Sequence, residues 1–561
     1  MPTFLLDNKE IEFTLGQTII EAARDAGIEI PHFCWHPAMS VAGNCRVCLV
    51  EVEKMPKGVI ACATLAAEGM VVHAESPRAV HMRNAIMEFL LINHPLDCPI
   101  CDEAGECKLQ DYAYKYSVGS SRFDELKTHK DKRVELGPNV MFDGERCISC
   151  SLCIRFCDEI AGKPQLTFIE RGEHVTITTF PGEPLDNDYS MNVIDICPVG
   201  ALTSRDFRFK ARRWDLADTE SICIGCARGC NMNIWTRDNE ILRLTPRENP
   251  DVNQYWMCDN GRLNTFKFVN DADTRVNSPM MRPDSVVMSD DQNMPIECGW
   301  DAAISKVISE LKNYQPDEIG FIASPLTTLE DNFVLKRFAN EVVETENIVY
   351  IPHIVKGDED NLLIREDKSP NAAGLKHLGI KPIDKNFIDK VLSKQIKLLY
   401  VVHDSLDSIE QGEEMRRALE SGILHVSNLS TNTRRATVIF PTSTYAEMNG
   451  TLVNFQNRVQ RIRSAVATLE QERLPGDFSM SRLDKFGAHN DTWTRGTKFN
   501  ARPAWNVISQ IANAMGGNFS YMNTEDVFDD IASKVKAFAG MDYEQIGNKG
   551  MLIGKAEKVI A

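Results

Sequence analysis

Seventeen cysteines carry most of the chemistry available to this chain of 561 residues, and 16 of them fall within the first 258. Only Cys298 lies beyond. Thiolates are soft ligands, suited to zinc and to iron–sulfur clusters. The opening Met-Pro-Thr-Phe-Leu-Leu-Asp has neither the basic region nor the apolar run of a signal peptide. A reducing compartment is therefore expected, where structural disulfides are rare. Cysteines crowded into one half of such a chain read as metal ligands.

They fall into four sets. Cys34, Cys45, Cys48 and Cys62 are spaced C-x10-C-x2-C-x13-C. Three thiolates on one loop and a fourth further on is the plant-type [2Fe–2S] layout, here with a longer first gap. A four-cysteine zinc site is the alternative, although zinc ribbons present two C-x2-C knuckles and this stretch has one. His94, Cys98, Cys101 and Cys107 follow as H-x3-C-x2-C-x5-C. One imidazole with three thiolates suits zinc or a cluster, and on a cluster it would make the site less negative and raise its potential.

Cys147, Cys150 and Cys153 form the C-x2-C-x2-C run of bacterial ferredoxins, with Cys197-Pro198 downstream. Cys157 would extend that run, but in two-cluster ferredoxins the extending cysteine serves the other cluster, and no second run lies near Cys197. The economical allocation is one [4Fe–4S] cluster on Cys147, Cys150, Cys153 and Cys197, with Cys157 spare. Cys223, Cys226, Cys230 and Cys258 complete the series as C-x2-C-x3-C-x27-C, and Gly225 and Gly229 permit a tight loop around them. The four sets use 15 cysteines and one histidine, leaving Cys157 and Cys298 over. Four in series favour iron–sulfur clusters over zinc. Many one-electron centres in one chain mean electron relay, with no catalytic side chain required.

The elements that must hold these residues can be read around them. A strand at Thr3–Leu6, an Asp7-Asn8 turn, a strand at Glu10–Phe13 and a helix around Gln17–Ala26 lead to strands around Arg46–Val52, Val59–Ala63 and Met70–Ala74. This is a β-grasp pattern. Ser76-Pro77 is an N-cap followed by a first-turn proline, and opens a helix to about Asn93 with Val80, Ala85, Ile86, Phe89 and Leu90 apolar. A hairpin, Asn233–Thr236 with Ile241–Thr245, turns at Asp238-Asn239. From Ile296 the cysteines give way to an α/β rhythm. Helices are expected at Trp300–Lys312, Thr327–Val343 and Ile409–Glu420, and strands at Glu318–Ala323, Ile348–Ile351, Lys397–Val402, Ile423–Val426 and Thr437–Phe440. Strands alternating with helices imply a parallel, doubly wound sheet. Gln471–Ala501 reads as a long polar loop, a contact surface or flexible segment. Helices near Ala504–Ala514 and Thr524–Phe538 follow.

Charge and missing motifs narrow the function. Eighty acidic residues against 62 basic ones give a net charge of −18, which argues against nucleic acid as the main partner. No apolar run is long enough for a membrane-spanning helix. There is no G-x-G-x-x-G, and Gly550-Met-Leu-Ile-Gly554-Lys555 misses the phosphate-loop spacing, so nothing marks a nucleotide site. His353, His403 and His425 read as ordinary surface or strand-end residues.

The series resembles the large iron–sulfur subunit family of NADH–quinone oxidoreductases, the G subunit of respiratory complex I. The resemblance rests on the first cysteine set, His94-Pro95-Leu96-Asp97-Cys98, Arg146-Cys-Ile-Ser-Cys150 and Ile194-Asp-Ile-Cys-Pro-Val-Gly-Ala-Leu202. Further on, Phe440-Pro-Thr-Ser-Thr-Tyr-Ala-Glu-Met-Asn-Gly-Thr-Leu-Val-Asn454 and Arg458-Val-Gln460 are similar to the molybdopterin-oxidoreductase domain that the family retains. The resemblance implies α+β iron–sulfur domains followed by an α/β domain: a β-grasp [2Fe–2S] domain at 1–75, a one-histidine [4Fe–4S] domain at 76–120 and a ferredoxin-like one at 121–215. A molybdopterin-oxidoreductase-type [4Fe–4S] domain at 216–275 and a truncated α/β domain at 276–561, with no molybdopterin expected, complete it. It implies relay of electrons from a flavin-bearing NADH dehydrogenase subunit toward quinone-side subunits, with the membrane arm reached indirectly from the cytoplasmic face, and a fourth site off the main path. A formate-dehydrogenase-like molybdoenzyme is the chief rival, but Cys298, the only later thiol, abuts a helix start and is a poor metal ligand. An electron-input subunit of a soluble hydrogenase or diaphorase, and a zinc scaffold, are the others.

Overall fold

Asp7 and Asn8 take φ of 47° and 68°, the left-handed pair that a two-residue hairpin turn requires, and join the strands Thr3–Leu6 and Lys9–Glu12. A computed structural model describes residues 1–117, 119–283, 295–474, 476–487 and 494–554. It divides into two units, Met1–Trp214 and Asp215–Ala561.

In the first unit the hairpin continues into a five-stranded sheet. Its spatial order is Lys9–Glu12, Thr3–Leu6, Val71–His73, Leu49–Val52 and Val59–Ile60. Only Thr3–Leu6 and Val71–His73 run parallel. The helix Ile19–Asp25 starts at a capping box in which Thr18 and Glu21 satisfy each other's backbone N–H, a device worth about 1 kcal/mol. Its Ile19, Ile20, Ala22 and Ala23 close over Phe4, Leu6, Ile11 and Phe13 to make one core.

Ser76 caps the helix Pro77–Ile92, accepting a hydrogen bond from the Ala79 N–H at 3.1 Å. The buried face of that helix is not made of the apolar positions that the sequence shows. It consists of Ala79, Arg83 and Met87, while Phe89 is 75% exposed. The i, i+4, i+8 spacing makes this one stripe, but it is centred on an arginine. Past the second cysteine set comes a helix, Lys108–Tyr116. Two small antiparallel sheets follow: Leu202–Ser204, Val140–Phe142 and Val134–Glu135 in one, and the hairpin Leu166–Ile169 with Thr176–Thr179 in the other. None of these was marked by the sequence pattern.

The second unit opens with antiparallel strands Ala217–Ile222, Asn231–Arg237 and Glu240–Pro246. The last two turn at Asp238 and Asn239, again with φ of 52° and 65°. Beyond lies an eight-stranded sheet. Six strands run parallel, in the order Val438–Pro441, Ser421–Val426, Leu398–Val402, Ile319–Ala323, Ile348–Tyr350 and Lys381–Pro382. Two antiparallel strands, Met280–Met281 and Ile296–Glu297, extend one edge. Ile319–Ala323 and Leu398–Val402 are buried at every position, as central strands covered on both faces must be.

Trp300–Lys312 and Ala504–Ala514 are helices with the expected bounds. The helix expected over Thr327–Val343 is α-helical only at Leu329–Arg337 and widens into a π-turn at Phe338–Val342. Gln471–Ala501 is not a free loop. Phe478–Ser479 adds an edge strand to Ala217–Ile222, Arg482–Gly487 is helical, and buried Arg473 stacks on Phe478 and pairs with Asp484 at 3.1 Å. Residues 475 and 488–493 of that segment, and Lys555, lie outside the described residues. Among the described residues no helix is long and apolar enough to cross a membrane.

Candidate metal centres

All 17 cysteines are free thiols. In the first set Cys34, Cys48 and Cys62 are buried. Cys45 hydrogen-bonds to Cys34, and Cys48 to Cys62. Accepting from Cys45 pulls the Cys34 thiol down to about 5, and accepting from Cys48 lowers Cys62. Four sulfurs in two touching pairs suit a two-iron rhomb, which takes two thiolates on each iron. Arg83, fully buried, braces this loop from the neighbouring helix. Its guanidinium donates to the Val47 and Leu49 carbonyls, both at 3.3 Å.

The second set lies on the loop between the helices Pro77–Ile92 and Lys108–Tyr116. Cys101 and Cys107 are buried and Cys98 is exposed. Burial pushes Cys107 up to about 12 and raises Cys101, which also feels the charges of Cys98 and Glu103. Burial holds the His94 imidazole down to about 4, with Lys127 and Arg146 adding to the effect. It is therefore neutral at pH 7, the form in which a ring nitrogen can ligate a metal. His94 and Cys101 both feel the Arg146 guanidinium.

In the third set Ser149 and Ser151 take φ of 54° and 67°, a left-handed backbone that non-glycine residues adopt sparingly and that clusters at functional sites. The turn aims the Ser149 N–H at Cys147 Sγ, 3.4 Å away. Burial pushes Cys150 up to about 12 and raises Cys147, Cys153 and Cys197. The charges of Cys150, Cys147, Cys197 and Cys157 all reach Cys153. Cys157 is also buried and near Cys153, its thiol raised to about 12 by burial alone.

The fourth set is clasped by its own backbone. The Cys223 N–H donates to the Cys230 carbonyl at 2.8 Å. Gly225 N–H donates to Cys223 Sγ, and Gly261 N–H to Cys258 Sγ, both at 3.4 Å. Cys258 thereby caps the helix Asp259–Asn264. A side chain on Gly261 would put Cβ 3.0 Å from Cys223 Sγ and 3.3 Å from Cys258 Sγ. Asn454 and Gln460 donate to the Arg228 and Gly229 carbonyls of this loop, at 3.2 and 3.0 Å. The sequence marks those two residues, but nothing in it says that they grip a cysteine loop more than 200 positions away.

The first three sets share braces. Arg146 and Lys132 both pair with Asp97, at 3.0 and 2.6 Å, tying the third set's loop to the second's. Arg155, two residues past Cys153, donates to the Cys34 and Ser40 carbonyls of the first. Among the described residues no three His, Cys, Asp or Glu side chains already converge on a single-ion position. The donor sets nonetheless fit clusters: soft thiols, backbone N–H groups directed at sulfur, and glycines where a Cβ would press on sulfur. A cluster bound there would supply one-electron transfer. The chain's part is ligation, desolvation and the hydrogen bonds that set potential.

Four family models match in succession. Residues 1–77 match a 2Fe-2S iron-sulfur cluster binding domain. Residues 83–122 match the NADH-ubiquinone oxidoreductase-G iron-sulfur binding region, and 137–203 the ferredoxin-like domain of NADH-quinone oxidoreductase subunit 3. Residues 216–265 match the 4Fe-4S domain of the NADH-ubiquinone oxidoreductase NDSU1/NuoG-like type. Among curated proteins, the G subunit of NADH-quinone oxidoreductase from Rickettsia bellii is 42% identical over 338 residues, 60% of this chain and 48% of that protein. The mitochondrial NADH dehydrogenase [ubiquinone] iron-sulfur protein 1 of Solanum tuberosum is 41% identical over 338 residues, 60% of this chain and 44% of that one. The chain thus spans about half the length of the curated relatives it matches. A solved NAD+-reducing [NiFe]-hydrogenase, in its H2-reduced state, is 34% identical over 37% of this chain and 90% of that one. Its TM-score of 0.34 is too low to bear on the fold. With 2Fe-2S and 4Fe-4S domains over its four cysteine sets, the chain is an iron–sulfur relative of the NADH-quinone oxidoreductase G subunit.

Proposed function

We propose that this chain is the electron-relay iron–sulfur subunit of a proton-pumping NADH:quinone oxidoreductase, passing single electrons from a flavin-bearing subunit toward quinone-side subunits. It carries one [2Fe–2S] cluster on Cys34, Cys45, Cys48 and Cys62. Three [4Fe–4S] clusters sit on His94, Cys98, Cys101 and Cys107; on Cys147, Cys150, Cys153 and Cys197; and on Cys223, Cys226, Cys230 and Cys258. The working domains are 1–75, 76–120, 121–215, 216–275 and 276–561, the last a molybdopterin-oxidoreductase-like α/β domain without molybdopterin. The chain works on the cytoplasmic face of the membrane as a peripheral part of the complex.

The observation that carries this reading is the central place of the third set within its unit. Arg155, two residues past Cys153, donates to the Cys34 and Ser40 carbonyls of the first set's loop, and Arg146, beside Cys147, pairs with Asp97 on the second's at 3.0 Å. The second set supplies the exit: Cys98 is exposed, and Leu96 and Ile100 beside it are 88% and 60% exposed. An apolar, solvent-facing edge at a ligand suits a protein acceptor. Cys223, Cys226, Cys230 and Cys258 belong to the other unit, in keeping with a fourth site off the main path.

The test is anaerobic purification from the host, with partner identification and metal analysis. About 14 irons per chain and no molybdenum, tungsten or pterin are expected. The isolated chain should accept electrons from dithionite and oxidise neither NADH nor formate. NADH should reduce it once the flavin-bearing partner is added, and far more slowly after Cys150→Ala. Stoichiometric zinc with little iron, or released pterin, would overturn the reading.

A further inference from the structure

Gly200 belongs by sequence to the third set, three residues after Cys197, yet it lies against the second. A Cβ at Gly200 would stand 2.3 Å from Cys101 Sγ, 3.0 Å from Glu103 Cβ and 3.6 Å from Glu103 N. Real side chains do not approach below 3.0 Å, so any side chain here must push Cys101 aside. The same stretch touches the second set again at Pro198, whose carbonyl accepts from Cys107 Sγ at 3.8 Å. The next segment holds the second loop from behind. Arg212 donates to the Cys101 carbonyl and, at 2.5 Å, to the Pro99 carbonyl, and the Phe209 N–H donates to Asp102 Oδ1 at 3.0 Å. Gly200 is not among the glycines with positive φ. Its lack of a side chain is therefore a matter of space beside sulfur and not of backbone conformation.

We infer that Gly200 is a positioning residue for the second metal centre: the Cys197–Gly200 backbone is the wall against which Cys101 is set, so a residue of one ligand loop decides the geometry of the neighbouring site. The loop has both jobs at once. Its first residue ligates the third cluster, and its fourth leaves room for a thiolate of the second. Two centres that share one stretch of backbone are held at a fixed separation, which single-electron transfer between them requires. The inference rests on reading the second set as a cluster site.

The full chain is prepared anaerobically as wild type, Gly200→Ala, Cys101→Ala, the Cys101→Ala/Gly200→Ala double variant, and His94→Ala and Cys150→Ala as markers of the second and third sites. Iron, acid-labile sulfide, low-temperature EPR after dithionite reduction and thermal unfolding are measured. Gly200→Ala should lose the tetranuclear signal that His94→Ala also loses, and about four of about fourteen irons. The [2Fe–2S] signal and the Cys150-dependent signal should remain. The double variant should unfold close to Cys101→Ala alone, because removing the sulfur relieves the 2.3 Å clash and leaves only the 3.0 Å approach to Glu103 Cβ; this non-additivity separates a specific contact from general damage. Gly200→Ala with full iron and every signal, or with loss of the Cys150-dependent signal alone, would overturn the inference. So would a double variant whose two effects simply add, and that comparison decides even if Gly200→Ala alone folds poorly. A wild type with no His94-dependent tetranuclear signal would instead refute the reading of the second set, while the unfolding comparison still tests the contact.

Discussion

The second and fourth cysteine sets both offer four ligands, but they are built on different principles. The fourth is closed by its own backbone, Cys223 to Cys230, with Cys258 as a helix cap. Asn454 and Gln460, on the hairpin of strands Gly450–Val453 and Arg458–Ile462 in the same unit, grip its carbonyls. The second is a loop strung between two helices with one thiol exposed. Its shape is imposed by Arg212, the Asp97–Arg146 pair and the Gly200 wall. A loop with its own hydrogen bonds keeps its shape when the metal leaves. The second loop has only short turn bonds, such as Ile100 N–H to the Asp97 carbonyl at 2.9 Å and Ala104 N–H to the Cys101 carbonyl at 3.2 Å, so it depends more on metal and neighbours, because the bound metal supplies free energy that the bare chain lacks.

Removing iron gives the largest expected effect and tests this contrast directly. Anaerobic chelation should abolish protection of residues 94–107 in hydrogen exchange, at a cost on the order of 10 kcal/mol for a structural metal site. Amides of Ile222 to Asn231 should stay protected. Equal loss in both loops would break the comparison.

Next, Phe440→Ala probes the parallel sheet of the second unit. Phe440 is fully buried and stacks on Trp300 at 5.9 Å, so its truncation should cost about 3–5 kcal/mol in urea unfolding. Iron at the first three sets should survive. Loss of their signals would mean that they lean on the second unit.

Glu330 adds a pH lever. Burial raises its carboxyl to about 7, against hydrogen bonds from Thr451 and Tyr543. A carboxyl raised on folding stabilises most at low pH, where both states are protonated. That stabilisation is lost as pH climbs from about 4.5 to about 7, by roughly 3 kcal/mol in all. Glu330→Gln should flatten the slope of unfolding free energy against pH over that window. An unchanged slope would assign the dependence to other groups.

A smaller effect sharpens the role of the distant hairpin. Gln460→Leu should cost about 1–3 kcal/mol by orphaning the Gly229 carbonyl. It should also speed release of the fourth cluster's iron without touching the His94-dependent signal. Cys298→Ser should change iron content and stability least, by within about 0.5 kcal/mol.

How much of this was legible beforehand depended on reach along the chain. The first hairpin, the Ser76 cap, Trp300–Lys312 and the buried strand near Leu398–Val402 all carry their signals within a few residues, and these elements appear where those signals stand. The buried face of Pro77–Ile92 was not legible because Arg83 is polar by type. It is buried only because the Val47 and Leu49 carbonyls and Tyr116 converge on its guanidinium. The polar stretch after Gln471 looked free for the same reason: Arg473 finds Phe478 and Asp484 only in the fold.

By itself the sequence groups the closely spaced thiols, Cys45 with Cys48, Cys98 with Cys101, Cys147 with Cys150 and Cys153, and Cys223 with Cys226 and Cys230, since a turn of two or three residues brings each group together through local geometry. It also marked the six parallel strands of the second half's mixed sheet in part, since runs of buried apolar residues alternate with helical periods, while the two antiparallel edge strands carried no such signal. Only the tertiary structure decided which sets are neighbours: Arg155 on the loop of Cys34, Arg146 on Asp97, and Gly200 against Cys101. Those contacts join residues about 50 to 120 positions apart. No local spacing encodes them; they arise when separate elements pack and leave room for sulfur on one side of a glycine and for a carbonyl at the tip of an arginine.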